Sequence, residues 1–148
     1  DHMLDAFGRH GLFDLTVHAR GDVDVEAHHT VEDCGIVLGQ CFAQALGDCR
    51  GIVRYGSILL PMDEALVMAA VDISGRGQLH YDVEMTCPLL GSFDVTNMGA
   101  TLNIRSVTGR NMHHILEAAF KAAARAISAA VAIDPRIADE VPSTKGVL

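Results

Sequence analysis

The stretch His28-His29-Thr30-Val31-Glu32, which recurs as His113-His114-Ile115-Leu116-Glu117, decides how this chain is organised. Each copy follows residues with the alternation of strands and opens a segment with the apolar period of a helix. Two such units in one chain predict a duplicated α+β fold, in which two similar halves each combine a sheet with helices. We expect a single domain over 1–148, with the first repeat at about 1–60 and the second at about 61–148.

Alternating and helical periods extend on both sides of the two motifs and are separated by turns rich in glycine, proline and acidic residues. The helix that follows the second motif is expected to stop at Asp134-Pro135. The sequence therefore predicts strands at 13–19, 23–27, 52–60, 66–73, 79–85 and 101–107, and helices from His28 to about Gly47 and from about Met112 to Ile133.

The spacing of the repeated motif predicts metal ligands. On a helix, residues four apart share a face, whereas adjacent residues point about 100° apart. In each copy the first histidine and the glutamate therefore converge, and the second histidine serves another centre. Imidazole and carboxylate ligands together suit Mn²⁺, Fe²⁺ or Zn²⁺ better than Ca²⁺ or Mg²⁺. A lone histidine on a helix is usually an exposed or capping residue, but two matching copies predict two metal ions, especially if the copies meet across a repeat or subunit interface.

Basic residues near hydroxyl groups form a second candidate set. Ser74-Gly75-Arg76 and Ser143-Thr144-Lys145-Gly146 combine hydroxyls, backbone amides and a cation, which is what a phosphate monoester needs. We interpret three other arginines as ordinary solvated charges and not as phosphate ligands, namely Arg105, Arg110 and Arg125.

An acidic pair, Asp63 and Glu64, lies in the turn between two predicted strands. Beside a metal site, such a carboxylate can act as a general base or can orient a ligand. Alone in a turn, it is more often simply solvated. The spacing leaves these interpretations open.

The composition argues against several classes of function. The 148 residues are 49% hydrophobic and 20% charged, as in an ordinary globular protein, and their net charge of −8 argues against nucleic acid or an anionic membrane as the main partner. No apolar run approaches the roughly 18 residues of a membrane helix. No secretory signal is visible, and the absence of a C-x-x-C pair indicates reduced thiols in a cytoplasmic protein, at Cys34, Cys41, Cys49 and Cys87.

Six motifs, taken in order, resemble one known family. They are Asp1-His2-Met3-Leu4, His28-His29-Thr30-Val31-Glu32-Asp33, Pro61-Met62-Asp63-Glu64-Ala65-Leu66, Ser74-Gly75-Arg76, His113-His114-Ile115-Leu116-Glu117-Ala118 and Pro142-Ser143-Thr144-Lys145-Gly146. Together they closely resemble the imidazoleglycerol-phosphate dehydratase family of histidine biosynthesis, over the whole chain.

The resemblance implies a fold of the ribosomal-protein-S5 domain-2 type. It also implies a cytoplasmic lyase that removes water from D-erythro-imidazole glycerol phosphate, a phosphorylated imidazole, to give imidazole acetol phosphate. The implied assembly is a large octahedral homo-oligomer, a 24-mer built from trimers, with two Mn²⁺ ions in each active site and the sites between subunits.

The family's site residues carry over to this sequence by position. The implied metal ligands are His2, His28, His29, Glu32, His113, His114 and Glu117. The implied phosphate-binding residues are Arg54, Arg76, Lys121, Ser143 and Lys145, and the implied catalytic carboxylates are Glu32, Glu117, Asp63 and Glu64.

The chemistry of this substrate explains why metal ions are expected. The hydrogen to be lost is not acidic, because no carbonyl flanks it. Two metal ions acting as Lewis acids and as a template can hold the imidazole ring as an imidazolate, whose electrons expel the hydroxyl before an enol forms and tautomerises to the ketone. Two alternatives stay open: a non-catalytic metal-dependent assembly module, and a metal-dependent hydrolase of a phosphorylated small molecule.

The chain departs from the family pattern at three places. An N-terminal segment, with a strand and a glutamate used in proton transfer, is expected before Asp1. Near 95–97, about a dozen residues of the family pattern are missing, some three helical turns that carry a further ligand histidine in the family. Asn103 stands where histidine is common. Without that histidine, one metal ion would lack a ligand.

Overall fold

The computed structural model describes residues 2–21, 24, 25, 27–83 and 95–148. In chain order its elements are α1 (His2–Gly11), α2 (His28–Leu46), β1 (Tyr55–Met62), β2 (Ala65–Ile73), β3 (Gln78–Asp82), α3 (Val95–Met98), β4 (Ala100–Thr108) and α4 (Met112–Val131), followed by a 3₁₀ turn at Pro135–Ile137.

One mixed four-stranded sheet, in the order β1-β2-β4-β3, forms the centre of the described structure. β1 and β2 make an antiparallel hairpin in which Tyr55 pairs with Asp72 and Met62 with Ala65. β4 lies antiparallel to β2, and β3 lies parallel to β4 at the edge of the sheet. This combination of a mixed sheet with helices confirms the predicted α+β class.

α4 packs against the sheet through a side rich in alanine. Its buried residues from Ala118 to Ala130 lie against the aliphatic side chains of β1, β2 and β4. Small side chains permit a close approach, since a Cβ atom added to Gly56 of β1 would overlap the carbonyl oxygen of Ala126. This packing leaves the first turn of α4 beside the β1–β2 turn, where Glu64 contacts its start.

The beginning of the chain folds differently from the prediction. α1 forms where the patterns above predict no helix, and it packs on α4. The strand predicted at 13–19 is wrong, because these residues form no strand. Phe13 and Leu15 instead pack against the core, and the ring centroid of Phe13 lies 5.5 Å from that of Phe7. Alternating apolar residues require a buried face, and here packing against the core supplies it without a neighbouring strand.

The strand predicted at 23–27 lies partly outside the described residues, and its members 24 and 25 belong to a turn. Among the residues that the structure describes, no strand therefore precedes β1. The two copies of the motif do occupy matching places, since α2 begins at its histidine pair and α4 begins one residue before its own.

The other predicted elements agree with the structure to within a few residues. β2 and β4 confirm the strands predicted at 66–73 and 101–107, and α2 and α4 confirm the two helices. β1 begins three residues later than predicted, and the end of the strand predicted at 79–85 lies outside the described residues.

The sequence also makes predictions about the cysteines and about membrane-spanning segments. Cys34, Cys41 and Cys49 are free thiols, and Cys87 lies outside the described residues. None of the described helices has the length and apolar character needed to cross a bilayer.

Candidate metal centre

The first turn of α4 directs two residues of the second motif to one point. Asn111 caps the helix, with its side-chain oxygen accepting a hydrogen bond from the backbone amide of His113 at 2.9 Å. Asparagine is favoured at this position because it satisfies an amide that has no partner within the helix. One turn apart, His113 Nε2 and Glu117 Oε2 lie 3.0 Å from each other. The structure thus contains the convergence that a spacing of four predicts.

His2, in α1 at the start of the chain, joins this pair. Its Nε2 atom lies 3.0 Å from Glu117 Oε2, and its ring stacks on that of His113 with 5.8 Å between centroids. The ligand atoms of the three residues all lie within 4.8 Å of one another, and no other such group occurs in the part of the chain that the structure describes. Two imidazole nitrogens and one carboxylate oxygen fit Mn²⁺, Fe²⁺ or Zn²⁺.

Lys121 holds the second oxygen of the Glu117 carboxylate. Its Nζ atom lies 2.7 Å from Glu117 Oε1, and it also donates to Met62 Sδ at 3.6 Å. Hydrogen bonds from Lys121 and then from His2 lower the pKa of Glu117 to about 2, so this buried carboxylate is ionised at neutral pH. The structure places Lys121, a predicted phosphate ligand, beside the metal cluster, the group of candidate ligands formed by His2, His113 and Glu117.

His114 points away from that cluster, as the helical geometry predicts. Its Nδ1 atom lies 2.7 Å from Glu64 Oε2, and its Nε2 atom lies 3.7 Å from Asp63 Oδ2. The hydrogen bond with Glu64 raises the pKa of His114. The same bond, together with the backbone amide of Asn111, lowers the pKa of Glu64 to about 2.

The first copy of the motif, at the start of α2, forms a looser group. His28 Nε2 and Glu32 Oε2 lie 3.9 Å apart, and the rings of His28 and His29 meet edge to face at 5.7 Å. All three side chains are exposed. Within the described ranges this group does not join His2, His113 and Glu117, so a single chain presents the two copies of the motif separately.

Arg54 lies at the beginning of the hairpin, where it donates hydrogen bonds to a neighbouring carboxylate and to the C-terminal segment. It donates to both carboxylate oxygens of Asp72, at 2.8 and 3.3 Å, and to the carbonyl oxygen of Pro142 at 2.8 Å. The hydrogen bond to Asp72 raises the pKa of Arg54. Arg54 is thereby tied to the C-terminal segment that carries Ser143 and Lys145.

The turn that contains Arg76 lies against the same segment. A Cβ atom on Gly75 would overlap the backbone of Leu148, and the Arg76 guanidinium donates to the carbonyl oxygen of Ser74 at 3.2 Å. In the C-terminal segment, Ser143 Oγ accepts a hydrogen bond from the amide of Lys145 at 3.2 Å. Four of the five predicted phosphate ligands therefore belong to one basic cluster, namely Arg54, Arg76, Ser143 and Lys145.

The metal cluster and the basic cluster lie at opposite ends of the β1–β2 hairpin. Arg54 and its partner Asp72 mark one end, and Glu64 beside His114 marks the other. The eight residues of β1, at about 3.3 Å each, separate these ends by about 25 Å. A molecule of a few carbon atoms cannot span that distance, so it cannot contact both clusters of one chain at once.

Comparison with known proteins identifies the family of this chain. The family model for imidazoleglycerol-phosphate dehydratase matches residues 1–127. The chain belongs to the imidazoleglycerol-phosphate dehydratase family. Its activity is accordingly that of a dehydratase, a lyase, in histidine biosynthesis.

Individual imidazoleglycerol-phosphate dehydratases are similar to this chain over most of their own length. That of Dinoroseobacter shibae is 54% identical over 159 aligned positions, which cover 100% of this chain and 82% of the relative. The crystal structure of the enzyme from Staphylococcus aureus has a TM-score of 0.80 at 38% identity, covering 90% of this chain and 81% of that one. The structure from Pyrococcus furiosus in complex with (S)-C348 has a TM-score of 0.75 at 33% identity, covering 99% of this chain and 84% of that one. These similarities confirm both the family and its fold.

Two features of the imidazoleglycerol-phosphate dehydratase site are not predicted by the sequence patterns above. The cap formed by Asn111 has a recognisable signal, because asparagine directly before a helical period is a common first residue. α1, which carries His2, has a weaker signal in Met3, Ala6 and Phe7, whose spacing of three and four is that of a helix face.

Proposed function

We propose that this chain converts D-erythro-imidazole glycerol phosphate to imidazole acetol phosphate and water in the cytoplasm, with Mn²⁺ as its cofactor. The observation that carries the proposal is the cluster of His2, His113 and Glu117 in a chain of the dehydratase family. Its mixed donor set suits a first-row transition ion, and an imidazole substrate offers another nitrogen of the same kind. The free thiols are those expected of a protein in a reducing compartment.

The predicted ligands of this chain supply enough donor atoms for two metal ions. His2, His113 and Glu117 would hold one ion, and the remaining predicted ligands would supply the second, namely His28, His29, Glu32 and His114. When bound, Mn²⁺ supplies Lewis-acid stabilisation of the charge that develops on the imidazole ring as the hydroxyl leaves.

The predicted catalytic carboxylates divide into two kinds by their hydrogen bonds. Glu117 and Glu64 each accept strong hydrogen bonds that lower their pKa to about 2, so they are poor proton acceptors. Glu117 is suited to binding a cation, since Lys121 occupies one oxygen and leaves the other facing two imidazoles. Of the other two, Glu32 is assigned to the second ion, so Asp63, which is exposed, is our candidate for moving a proton.

A complete active site takes residues from more than one subunit in this proposal. The supporting observation is the separation of about 25 Å between the metal cluster and the basic cluster within one chain. A neighbouring subunit would bring its Arg54, Arg76 and C-terminal segment to the metal end of the first, and the exposed motif of α2 is free to face a partner as well. We place these contacts in an octahedral 24-mer built from trimers.

A complementation experiment tests the shared site. His113→Ala removes a ligand at the metal end, and Arg76→Ala removes an exposed cation at the basic end. Each variant alone should show little turnover of imidazole glycerol phosphate. After metal removal, mixing and reassembly with Mn²⁺, part of the activity should return, because some contacts pair an intact metal end with an intact basic end. A mixture as inactive as its components would overturn the shared site.

The wild-type assay tests the chemistry itself. Manganese-dependent formation of the ketone product, abolished by a chelator, is the expected result. Assembly with Mn²⁺ but no turnover would favour the non-catalytic assembly module, and release of inorganic phosphate would favour a hydrolase.

A further inference from the structure

Glu64 connects the β1–β2 turn to the start of α4. Its Oε1 atom accepts hydrogen bonds from the backbone amides of Arg110, at 3.2 Å, and Asn111, at 2.8 Å. Its Oε2 atom lies 2.7 Å from Nδ1 of His114. Thr108 Oγ1 donates to the backbone carbonyl of Glu64 at 3.3 Å, so both the side chain and the main chain of this residue are held in place.

Asn111 contacts the opposite nitrogen of the same imidazole ring. Its Nδ2 atom lies 3.4 Å from His114 Nε2. The orientation of this amide is set, because its oxygen accepts the hydrogen bond from the backbone amide of His113. The amide group therefore presents its NH₂ side to His114.

Glu64 and Asn111 determine where the ring of His114 carries its proton, because the third polar neighbour, Asp63 Oδ2, lies 3.7 Å from Nε2 and is too far away for a hydrogen bond. An ionised carboxylate can only accept a hydrogen bond, and an amide NH₂ can only donate one. In the neutral ring, Nδ1 therefore bears the hydrogen that is donated to Glu64, and Nε2 keeps its lone pair.

We propose that Glu64 is a positioning residue, which holds His114 in the Nδ1–H tautomer and thereby presents Nε2 as a metal ligand. The inference rests on the proposed function, in which His114 is one of the ligands. A metal-bound histidine typically donates its other N–H to a carboxylate or carbonyl, which fixes the ring and makes the binding nitrogen more basic. Glu64 then acts through His114 and does not exchange protons with the substrate.

The variant Glu64→Gln separates positioning from helix capping. The backbone amides of Arg110 and Asn111 would hold the carbonyl oxygen of the new amide, so its NH₂ group would face His114 Nδ1 and move the ring proton to Nε2. We expect the fold and thermal stability of the metal-free protein to be kept, while the affinity for Co²⁺ falls about ten- to a hundredfold. Asp82→Asn removes an equal charge at an exposed position and should bind Co²⁺ like the wild type.

Two measurements test the positioning role directly. Titration with Co²⁺, followed by its visible absorption spectrum, measures affinity and ligand environment, and ¹⁵N NMR of the metal-free protein reports which nitrogen of His114 is protonated. The expected result is Nδ1–H in the wild type and Nε2–H in Glu64→Gln. Nε2–H in the wild type would overturn the proposal, whatever the variants do.

His114→Ala, titrated in parallel, distinguishes this proposal from the proposed function. Weak Co²⁺ binding in His114→Ala, with wild-type binding in Glu64→Gln, would overturn the positioning role and leave His114 a ligand. Wild-type binding in both variants would remove His114 from the ligand set and overturn the inference with it. The dehydratase assay would then still decide the activity independently.

Discussion

His2 Nε2 lies 3.0 Å from Glu117 Oε2, although 115 positions separate the two residues in the chain. The contact forms because α1 packs on α4. His113 and Glu117 meet within one turn of a single helix, whereas the third donor depends on tertiary packing. The metal cluster is therefore assembled only when α1 packs on α4.

Removal of either imidazole should show that both donate to the ion. His2→Ala and His113→Ala each leave two donors, and we expect the affinity for Mn²⁺ to fall more than about a hundredfold, beyond the usual effect of residues outside the ligand shell. Equilibrium dialysis measures this, with His80→Ala on β3 as an exposed control. Wild-type affinity in His2→Ala would show that α1 supplies no ligand.

The ion pair between Lys121 and Glu117 should stabilise the metal-free protein. The two side chains are only 18% and 11% exposed, and Lys121→Met leaves an ionised carboxylate without its strongest donor. We expect the free energy of unfolding to fall by about 1.5–3 kcal/mol, the range for hydrogen bonds to charged groups. Urea unfolding in the presence of a chelator measures this loss. Added Mn²⁺ should narrow the difference in stability between Lys121→Met and the wild type, because the cation binds the carboxylate of Glu117 in the folded protein.

Arg125→Met is the matched control, since Arg125 lies one turn further along α4 and is exposed. Arg125→Met should change the free energy of unfolding by no more than about 0.5 kcal/mol. Equal losses in the two variants would mean that the loss of a positive charge on α4, and not the specific ion pair with Glu117, carries the effect.

Much of the second repeat could be predicted because its signals are local. The apolar patterns of β2 and β4 and the helical period of α4 all agree with the structure. The meeting of His113 with Glu117 follows from helix geometry alone.

The first repeat was harder to predict, and the reason is physical. Phe13 and Leu15 alternate with polar residues, a pattern that fits a strand but that an irregular segment can also have when its apolar side chains pack on the core. Only the tertiary structure places Phe7 and Phe42 against Phe13. The distance between the metal cluster and the basic cluster also depends on how the strands pair. Ligand types could therefore be predicted from the sequence, but their distribution over the two ends of the hairpin could not.

The charge of Asp134 should make part of the stability depend on pH. Its side chain accepts hydrogen bonds from the amide of Arg136 at 3.0 Å and from its guanidinium at 2.6 Å, which lower the pKa of Asp134 to about 2. Because the folded pKa lies below the unfolded value of about 4, this stabilisation is present above about pH 4 and is lost as the pH falls through about 2.

We therefore expect Asp134→Asn to lower the Tm clearly at pH 7 and much less at pH 2. Calorimetry of the metal-free protein over this range measures the difference, with Asp5→Asn as a control for loss of an exposed acid. A Tm difference that is the same at every pH would attribute the effect to packing and not to charge.

Gly56 should be essential for the contact between β1 and α4. A Cβ atom at this position would overlap the carbonyl oxygen of Ala126 and lie 3.0 Å from the backbone nitrogen of Ala130. Neither atom belongs to a flexible side chain, so Gly56→Ala must push the helix and the sheet apart. We expect a loss of about 1–3 kcal/mol in the free energy of unfolding, measured by urea denaturation. The neighbouring Ser57→Ala, on the exposed face, should change it by less than about 0.5 kcal/mol. Equal stability of the two variants would show that α4 lies farther from the sheet than the structure places it.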